Sequence, residues 1–248
     1  MPVTVTYIGH ATVLLELDGV RVLTDPVFRS RIGHLRRVAP PVDVESFREI
    51  DAVLVSHAHH DHLDLPSLKR LPKPAYAVAP RGAGRLLRHF DEVVELDEGD
   101  EVEVGPLRVR GLHAHHPGGR TPFRARGPAL SYALLGTRPV YFAGDTGLFP
   151  GMDGLVPGLD LAFMPVWGWG PRLGPGHLDP RSAAEALTLL RPRCAVPIHW
   201  GTYRLAHRAR KIDQQELEAP ALAFAAAAAE LAPGVEIRVL RPGDRSAF

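Results

Sequence analysis

The stretch Ser56-His57-Ala58-His59-His60-Asp61-His62-Leu63-Asp64 constrains this chain more than any other, because it gathers metal-binding side chains within one short loop. Residues 51–55, Asp-Ala-Val-Leu-Val, form an apolar, β-branched run that predicts a buried strand, and Leu65-Pro66-Ser67-Leu68 predicts the start of a helix. The donors therefore sit on a strand-to-helix loop. His57 and His59 stand two apart, so in extended chain leaving a strand both imidazoles point the same way and can share one cation. Asp61 and His62 are adjacent and need a tight turn, which lets them serve a second cation beside the first. Nitrogen donors with a carboxylate suit zinc, with manganese or iron as the other fits, better than calcium or magnesium, which prefer all-oxygen shells. A merely solvated histidine-rich loop has no reason to follow a buried strand in this pattern.

Further donors follow other predicted strands. Residues 107–112 lead into Leu112-His113-Ala114-His115-His116-Pro117, where His113, directly behind the strand, is the first choice to complete the first site, with His115 and His116 as alternatives. Residues 139–142 open onto Gly144-Asp145-Thr146-Gly147, whose flanking glycines let the backbone approach closely enough for a carboxylate to reach two ions. Residues 195–198 end at His199. His177 precedes Asp179-Pro180, an N-cap with proline at the first helical position, ahead of a helix over residues 181–190. Asp25, at the end of a meander over residues 3–23, is either an outer carboxylate that orients a ligand imidazole or a turn cap. His10, after a glycine turn, is a weaker candidate for that outer role, since a histidine there is more often just a polar loop residue.

The remaining pattern is α/β. Residues 65–71 and 82–90 read as helices, 75–79 and 93–96 as strands, 101–104 and 107–112 as a hairpin, and 129–135 and 159–165 as strands. Residues 216–231 form an alanine-rich helix and 235–240 a closing strand. With no repeat or linker, residues 1–248 read as a single domain. The net charge of +1 gives no global case for nucleic acid, and no run of about 18 apolar residues marks a membrane span. No basic, apolar leader opens the chain, so a cytoplasmic protein is expected, free to form a homo-oligomer. The single cysteine, Cys194, allows no intrachain disulfide and lies in an apolar run.

Of 29 basic residues, only Lys69, Lys73 and Lys211 are lysine. The arginines concentrate at residues 29–41, 120–126 and 204–211, each close to a loop at a strand edge. Ringing a pocket, they would favour a small anionic substrate; otherwise they are a solvated surface. Trp167 and Trp169, on a loop rich in glycine and proline, form either a pocket wall or core packing.

His57-Ala58-His59-His60-Asp61-His62 resembles the signature of the metallo-β-lactamase fold hydrolases. With Gly9-His10-Ala11-Thr12, Leu23-Thr24-Asp25-Pro26, Gly144-Asp145-Thr146-Gly147 and Ile198-His199-Trp200-Gly201-Thr202, the chain is similar over nearly its whole length to the branch holding N-acylphosphatidylethanolamine phospholipase D and L-ascorbate-6-phosphate lactonase. The resemblance implies a four-layer αββα sandwich of two mixed sheets. It implies one cation on His57, His59 and His113, a second on Asp61, His62 and His199, with Asp145 bridging and His177 facing the site. Two cations about 3.5–4 Å apart lower the pKa of a shared water from about 15.7 toward about 7, which makes hydroxide available for attack. Asp61 would also orient that water or pass a proton. The implied activity is hydrolysis of a phosphoester or phosphodiester, with a lactone, carboxylic ester or thioester as the alternative bond. A di-iron oxidoreductase on this fold would carry an acidic ligand where His59 stands.

Overall fold

The structure is a computed structural model that describes residues 2–47, 49–71, 76–119, 127–167, 173–207, 209 and 213–248. In chain order its strands begin with β1 (Thr4–Gly9), β2 (Thr12–Leu17), β3 (Val20–Thr24), β4 (Arg31–Ile32), β5 (Leu35–Arg37) and β6 (Ala52–Leu54). They continue with β7 (Tyr76–Pro80), β8 (Val93–Leu96), β9 (Glu101–Val104), β10 (Leu107–His113), β11 (Leu130–Leu135) and β12 (Val140–Phe142). Then come β13 (Leu161–Pro165), β14 (Cys194–Ile198), β15 (Tyr203–Leu205), β16 (Glu236–Ile237) and β17 (Arg245–Ala247). The helices are α1 (Leu65–Leu68), α2 (Pro180–Leu190) and α3 (Gln214–Leu231).

Two seven-stranded sheets result, ordered β17-β1-β2-β3-β6-β7-β8 and β16-β14-β13-β12-β11-β10-β9. They bury a shared core in which Val5, Tyr7, Val13 and Leu15 of the first meet Val109, Tyr132, Phe142 and Phe163 of the second. Burial of such side chains from water is the main force that holds the two layers together. Each sheet is half antiparallel and half parallel, and this fixes where the chemistry gathers. β3, β6, β7 and β8 run parallel, and β1 runs with them because two antiparallel steps separate it from β3. Likewise β12, β13 and β14 run parallel, and β10 shares their direction through two antiparallel steps. The C-terminal ends of β1, β3 and β6 therefore lie on one edge of the first sheet, and those of β10, β12 and β14 on one edge of the second.

The flanks are unequal. α2 starts in a capping box, Asp179 with Ser182, behind Pro180, and packs with α3 over the second sheet. The outer face of the first sheet is covered by a cluster around Phe28, Phe47, Leu63, Leu68 and Phe90, with α1 and short 3-10 turns as the helical structure there among the described residues. The expected helix over residues 82–90 reduces to a 3-10 turn at Gly84–Leu86. Gly82 adopts φ +90°, and the Glu95 carboxylate takes the N–H groups of Gly82 and Gly84, both at 2.7 Å, so the segment wraps a side chain instead of continuing a helix.

Residues 29–41, expected as a surface loop, carry β4 and β5, which pair with β15 in a third sheet of order β15-β5-β4. Its inner side chains, Ile32 and Tyr203, pack on Val27, with Leu35 against them. The closing strand is shorter than expected, and β17, which the sequence pattern did not predict, pairs with β1. Strand residue 75, the arginine loop 120–126, Trp169 and residues 208, 210 and 211 of the basic run 204–211 lie outside the described residues. Trp167 packs on the core. Among the described residues no helix is long and apolar enough to cross a membrane.

Candidate metal centre

The loop after β6 turns where the sequence requires it: the carbonyl of His59 accepts the N–H groups of His62 and Leu63 at 3.1 and 2.8 Å. The turn sends His57 and His59 one way and Asp61 and His62 another. Asp64 then caps α1 through Ser67 and holds Arg29 by a paired contact of 2.6 and 3.0 Å, which anchors the far end of the loop.

One donor set is His57, His59 and His116. His59 Nδ1 lies 2.9 Å from His57 Nε2 and 3.2 Å from His116 Nε2. His113 does not join it. Its backbone still pairs with Leu130 at the end of β10, its ring packs on Phe149, and its Nδ1 contacts Glu98 at 3.0 Å with the side chain 43% exposed. The strand continues through His113, so the chain first reaches the centre three residues later. The one hint in the sequence was Pro117, which keeps His116 out of helical conformation. His115 contributes its backbone, donating to Thr146 Oγ1 and accepting from Gly147.

A second set is His10, Asp61, His62 and His199. Asp61 Oδ2 lies 3.8 Å from His62 Nε2 and 3.9 Å from His199 Nε2. His10 is the residue that sequence reasoning ranked below Asp25. Fully buried, it brings its Nε2 within 3.3 Å of the same oxygen and its ring within 4.0 Å of His199.

Asp145 stands between the sets. Its Oδ2 is 3.3 Å from His62 Nε2, 3.6 Å from His177 Nε2 and 4.0 Å from His57 Nε2, and its Oδ1 is 3.4 Å from His199 Nε2. It can come this close because Gly144, at φ +60°, has no Cβ; one placed there would fall 2.5 Å from Ser56 Cβ.

The outer contacts decide which ring nitrogens face inward. Asp25 accepts from Ser56 N at 2.7 Å and Ser56 Oγ at 2.6 Å, and its Oδ2 is 2.7 Å from His62 Nδ1. A carboxylate only accepts, so His62 carries a proton on Nδ1 and turns Nε2 to the centre, where a cation would displace any second proton. Ser56 Oγ, having given its proton to Asp25, accepts from His57 Nδ1 at 3.0 Å, with the same result. His116 and His177 donate from Nδ1 to the carbonyls of Gly176 and Gly174, at 2.8 and 3.1 Å. Asp25 is thus the orienting carboxylate of the two roles open to it, and it sustains a left-handed φ of +34° there.

Electrostatics follow burial and proximity. Burial, the largest influence, drives His10 down to about 3 and His116 to about 4, so both imidazoles are neutral. Burial likewise lowers His57, His59 and His199. For His62 burial also acts downward, but Asp145, Asp25 and Asp61 together outweigh it and hold the imidazole well above its ordinary value. Burial would raise Asp61 and Asp145, yet the surrounding histidines keep both carboxyls well below the usual range. Asp145 Oδ1 is buried with no hydrogen-bond partner among the described residues. An acceptor left in that state, among imidazole nitrogens turned toward it, is what a cation between the sets would satisfy. The donor set therefore fits divalent metal ions.

Comparison with known proteins agrees. A model of the β-lactamase superfamily domain matches residues 20–200. A Mycobacterium tuberculosis protein is 36% identical over 223 residues, covering 82% of this chain and 59% of its own length. The N-acyl-phosphatidylethanolamine-hydrolyzing phospholipase D 1 of Caenorhabditis elegans is 34% identical over 80% of this chain and 64% of its own. A protein of Methanopyrus kandleri named as a metal-dependent hydrolase is 31% identical over 97% of both chains. Two solved structures share the fold. One is a metallo hydrolase of Ignicoccus hospitalis, at TM-score 0.72 and 23% identity over 100% of this chain and 99% of that one. The other is the diiron β-hydroxylase CmlA of Streptomyces venezuelae, at 0.70 and 19% over 99% and 54%. The chain belongs to the β-lactamase superfamily, and its two-sheet sandwich is the metallo-β-lactamase fold. Among its relatives within that superfamily are proteins named as metal-dependent hydrolases. It spans 59% of the length of the mycobacterial relative it matches.

Proposed function

We propose that this protein is a hydrolase that binds two divalent cations, zinc by preference, and cleaves a phosphoester or phosphodiester bond in a small anionic substrate. The observation that carries this reading is Asp145, whose two oxygens reach donors of both sets. His57, His59 and His116 would hold one cation and Asp61, His62 and His199 the other, with Asp145 shared. Bound there, the cations supply an activated water and neutralise charge that develops on the substrate.

The chain's own groups do the rest. Asp25, Ser56 and Gly176 fix the inward-facing nitrogens, so that little reorientation is needed when charge appears. His177, its side chain 27% exposed beside the more open donor set, is placed to take up or return a proton at Nε2. Asp61 orients the attacking water.

Arginine supports the anionic substrate. Arg31 and Arg204 both stand opposite Arg36, so the first and third arginine runs lie side by side on one face of the third sheet. Like charges facing each other across strands are unfavourable unless an anion joins them. Arg204 has Glu216, while Arg31 and Arg36 are exposed. The phospholipase relative supports the phosphodiester, and the imidazole at His59 supports hydrolysis over di-iron oxidation. The continuous core under both sheets supports reading residues 1–248 as one domain. The reading requires neither nucleic acid nor an integral membrane partner, and it leaves room for a homo-oligomer.

The test is a substrate panel run on metal-free and zinc-reconstituted protein, with phosphodiesters, phosphomonoesters, lactones and thioesters. Zinc-dependent turnover confined to phosphate esters is the expected result. Turnover of lactones or thioesters alone would move the protein to the alternative bond class.

A further inference from the structure

His10 lies in the second donor set by position, yet the two-cation reading gives it no cation to hold, and the fold keeps it there by several contacts. Its backbone is left-handed at φ +58°, a conformation uncommon outside glycine, although Asn, Asp and His adopt it more readily than other residues. Such strain persists only where surrounding contacts over-determine it. Here the N–H donates to Thr202 Oγ1 at 2.6 Å, and the carbonyl accepts from His199 N at 2.7 Å and Tyr7 Oη at 3.1 Å. The preceding Gly9 makes this docking possible, because a Cβ there would lie 2.6 Å from the same Thr202 Oγ1. His199, to which His10 is bonded, is left-handed too, at φ +65°.

The side chain is aimed as carefully as the backbone is held. Its ring lies 4.0 Å from that of His199 and 5.1 Å from that of His62, with the ring of Tyr203 set edge-on at 5.8 Å. This leaves Nε2 3.3 Å from Asp61 Oδ2, closer than His62 or His199 comes to that oxygen. A histidine that merely filled core volume would need no carboxylate at its tip. A carboxylate oxygen offers more than one lone pair, so Oδ2 can accept from an imidazole and still face a cation.

We propose that His10 is a positioning residue for the second donor set, whose Nε2–H fixes the Asp61 carboxylate relative to His62 and His199. Asp61 is the least buried member of that set, with its side chain 18% exposed, and it sits on a loop, so it is the ligand most in need of an outer anchor. His10 does for Asp61 what Asp25 does for His62. The inference rests on the two-cation reading and adds a residue to it.

Two measurements test it. In zinc-loaded wild-type protein, 15N spectra of the histidine side chains should show His10 protonated on Nε2 and not bound to metal. A zinc-bound Nε2, or a proton on Nδ1 alone, overturns the proposal. The second measurement compares His10→Gln with His10→Met, side chains of equal length of which only glutamine offers a donor. In zinc titrations of metal-free protein, H10M should weaken one of two binding steps about 10–100-fold and leave the other unchanged, while H10Q stays within about threefold of wild type at both. Identical behaviour of the two variants, or equal weakening of both steps, overturns it. Wild-type protein that takes up no zinc would instead remove the two-cation reading itself, so the two failures are distinguishable.

Discussion

The two donor sets share Asp145 but are built differently. His59, His116 and the neighbouring His177 are all partly exposed, and their outer contacts include the backbone carbonyls of Gly176 and Gly174. The second set is more enclosed: His10, His62 and His199 are buried, only Asp61 is partly exposed, Asp25 stands behind His62, and Tyr203 backs His10. Three of the five left-handed non-glycine residues among the described residues, His10, Asp25 and His199, belong to the buried side. Fixed geometry is concentrated on one side and access on the other. On the proposed two-cation reading, substrate would enter over His116 and His177, while the buried set would keep its cation and hold Asp145 in place.

The largest effect should come from Asp145, the residue that joins the sides. Asp145→Ala should lower turnover by about a thousandfold or more and weaken both cations, read by steady-state kinetics and metal analysis. Loss of only one cation would mean that the sets are independent. His116→Ala should come next, costing the exposed cation and most of the activity, whereas His113→Ala should stay within about threefold of wild type in both assays. The reverse ranking would restore the assignment first expected from sequence. Asp25→Asn removes the acceptor behind His62, and isothermal titration should show the buried cation weakened about 10–100-fold, with a smaller effect on the exposed one through Ser56 and His57.

The smallest effect expected is on metal-free stability. His116 and His10 have folded-state values of about 4 and about 3, below the value of about 6.5 for an unfolded histidine. As pH falls through 6.5 the unfolded chain binds protons first, so stability is lost toward about pH 4 for His116 and about pH 3 for His10. His62 has the opposite sign, but its contribution is already complete below the unfolded value and does not offset that slope. Asp61 and Asp145 add to the loss at lower pH still, because their depressed carboxyls favour the folded state only above the unfolded carboxylate value. Thermal melts of chelated protein from pH 7 to pH 4 should therefore show a falling Tm. A flat profile would mean that the buried imidazoles are already charged in the folded state.

Legibility in the sequence followed locality. The loop from His57 to His62 was readable because strand alternation and a tight turn relate neighbours directly. Asp145 and His199 were readable because each closes an apolar run and because they matched a known family pattern. His116 was misjudged because the residue pattern does not say how far strand pairing runs past its last apolar side chain. His10 was ranked below Asp25 because its role depends on Thr202 and His199, nearly two hundred residues away, and on a backbone conformation that composition does not reveal. The hairpin β4–β5 was hidden for a similar reason: its partner strand, β15, comes from the far end of the chain. The helix missing over residues 82–90 was lost to one carboxylate, Glu95, whose reach no helical pattern encodes.

The central claim is that distant segments of the chain assemble one centre for two cations around Asp145. Zinc titration of metal-free wild-type protein beside Asp145→Ala, with bound metal counted directly, tests it most plainly. The account predicts two equivalents in the wild type and weakened binding of both in the variant. A wild-type protein that saturates at one equivalent, or a variant that still holds two as tightly, would contradict it.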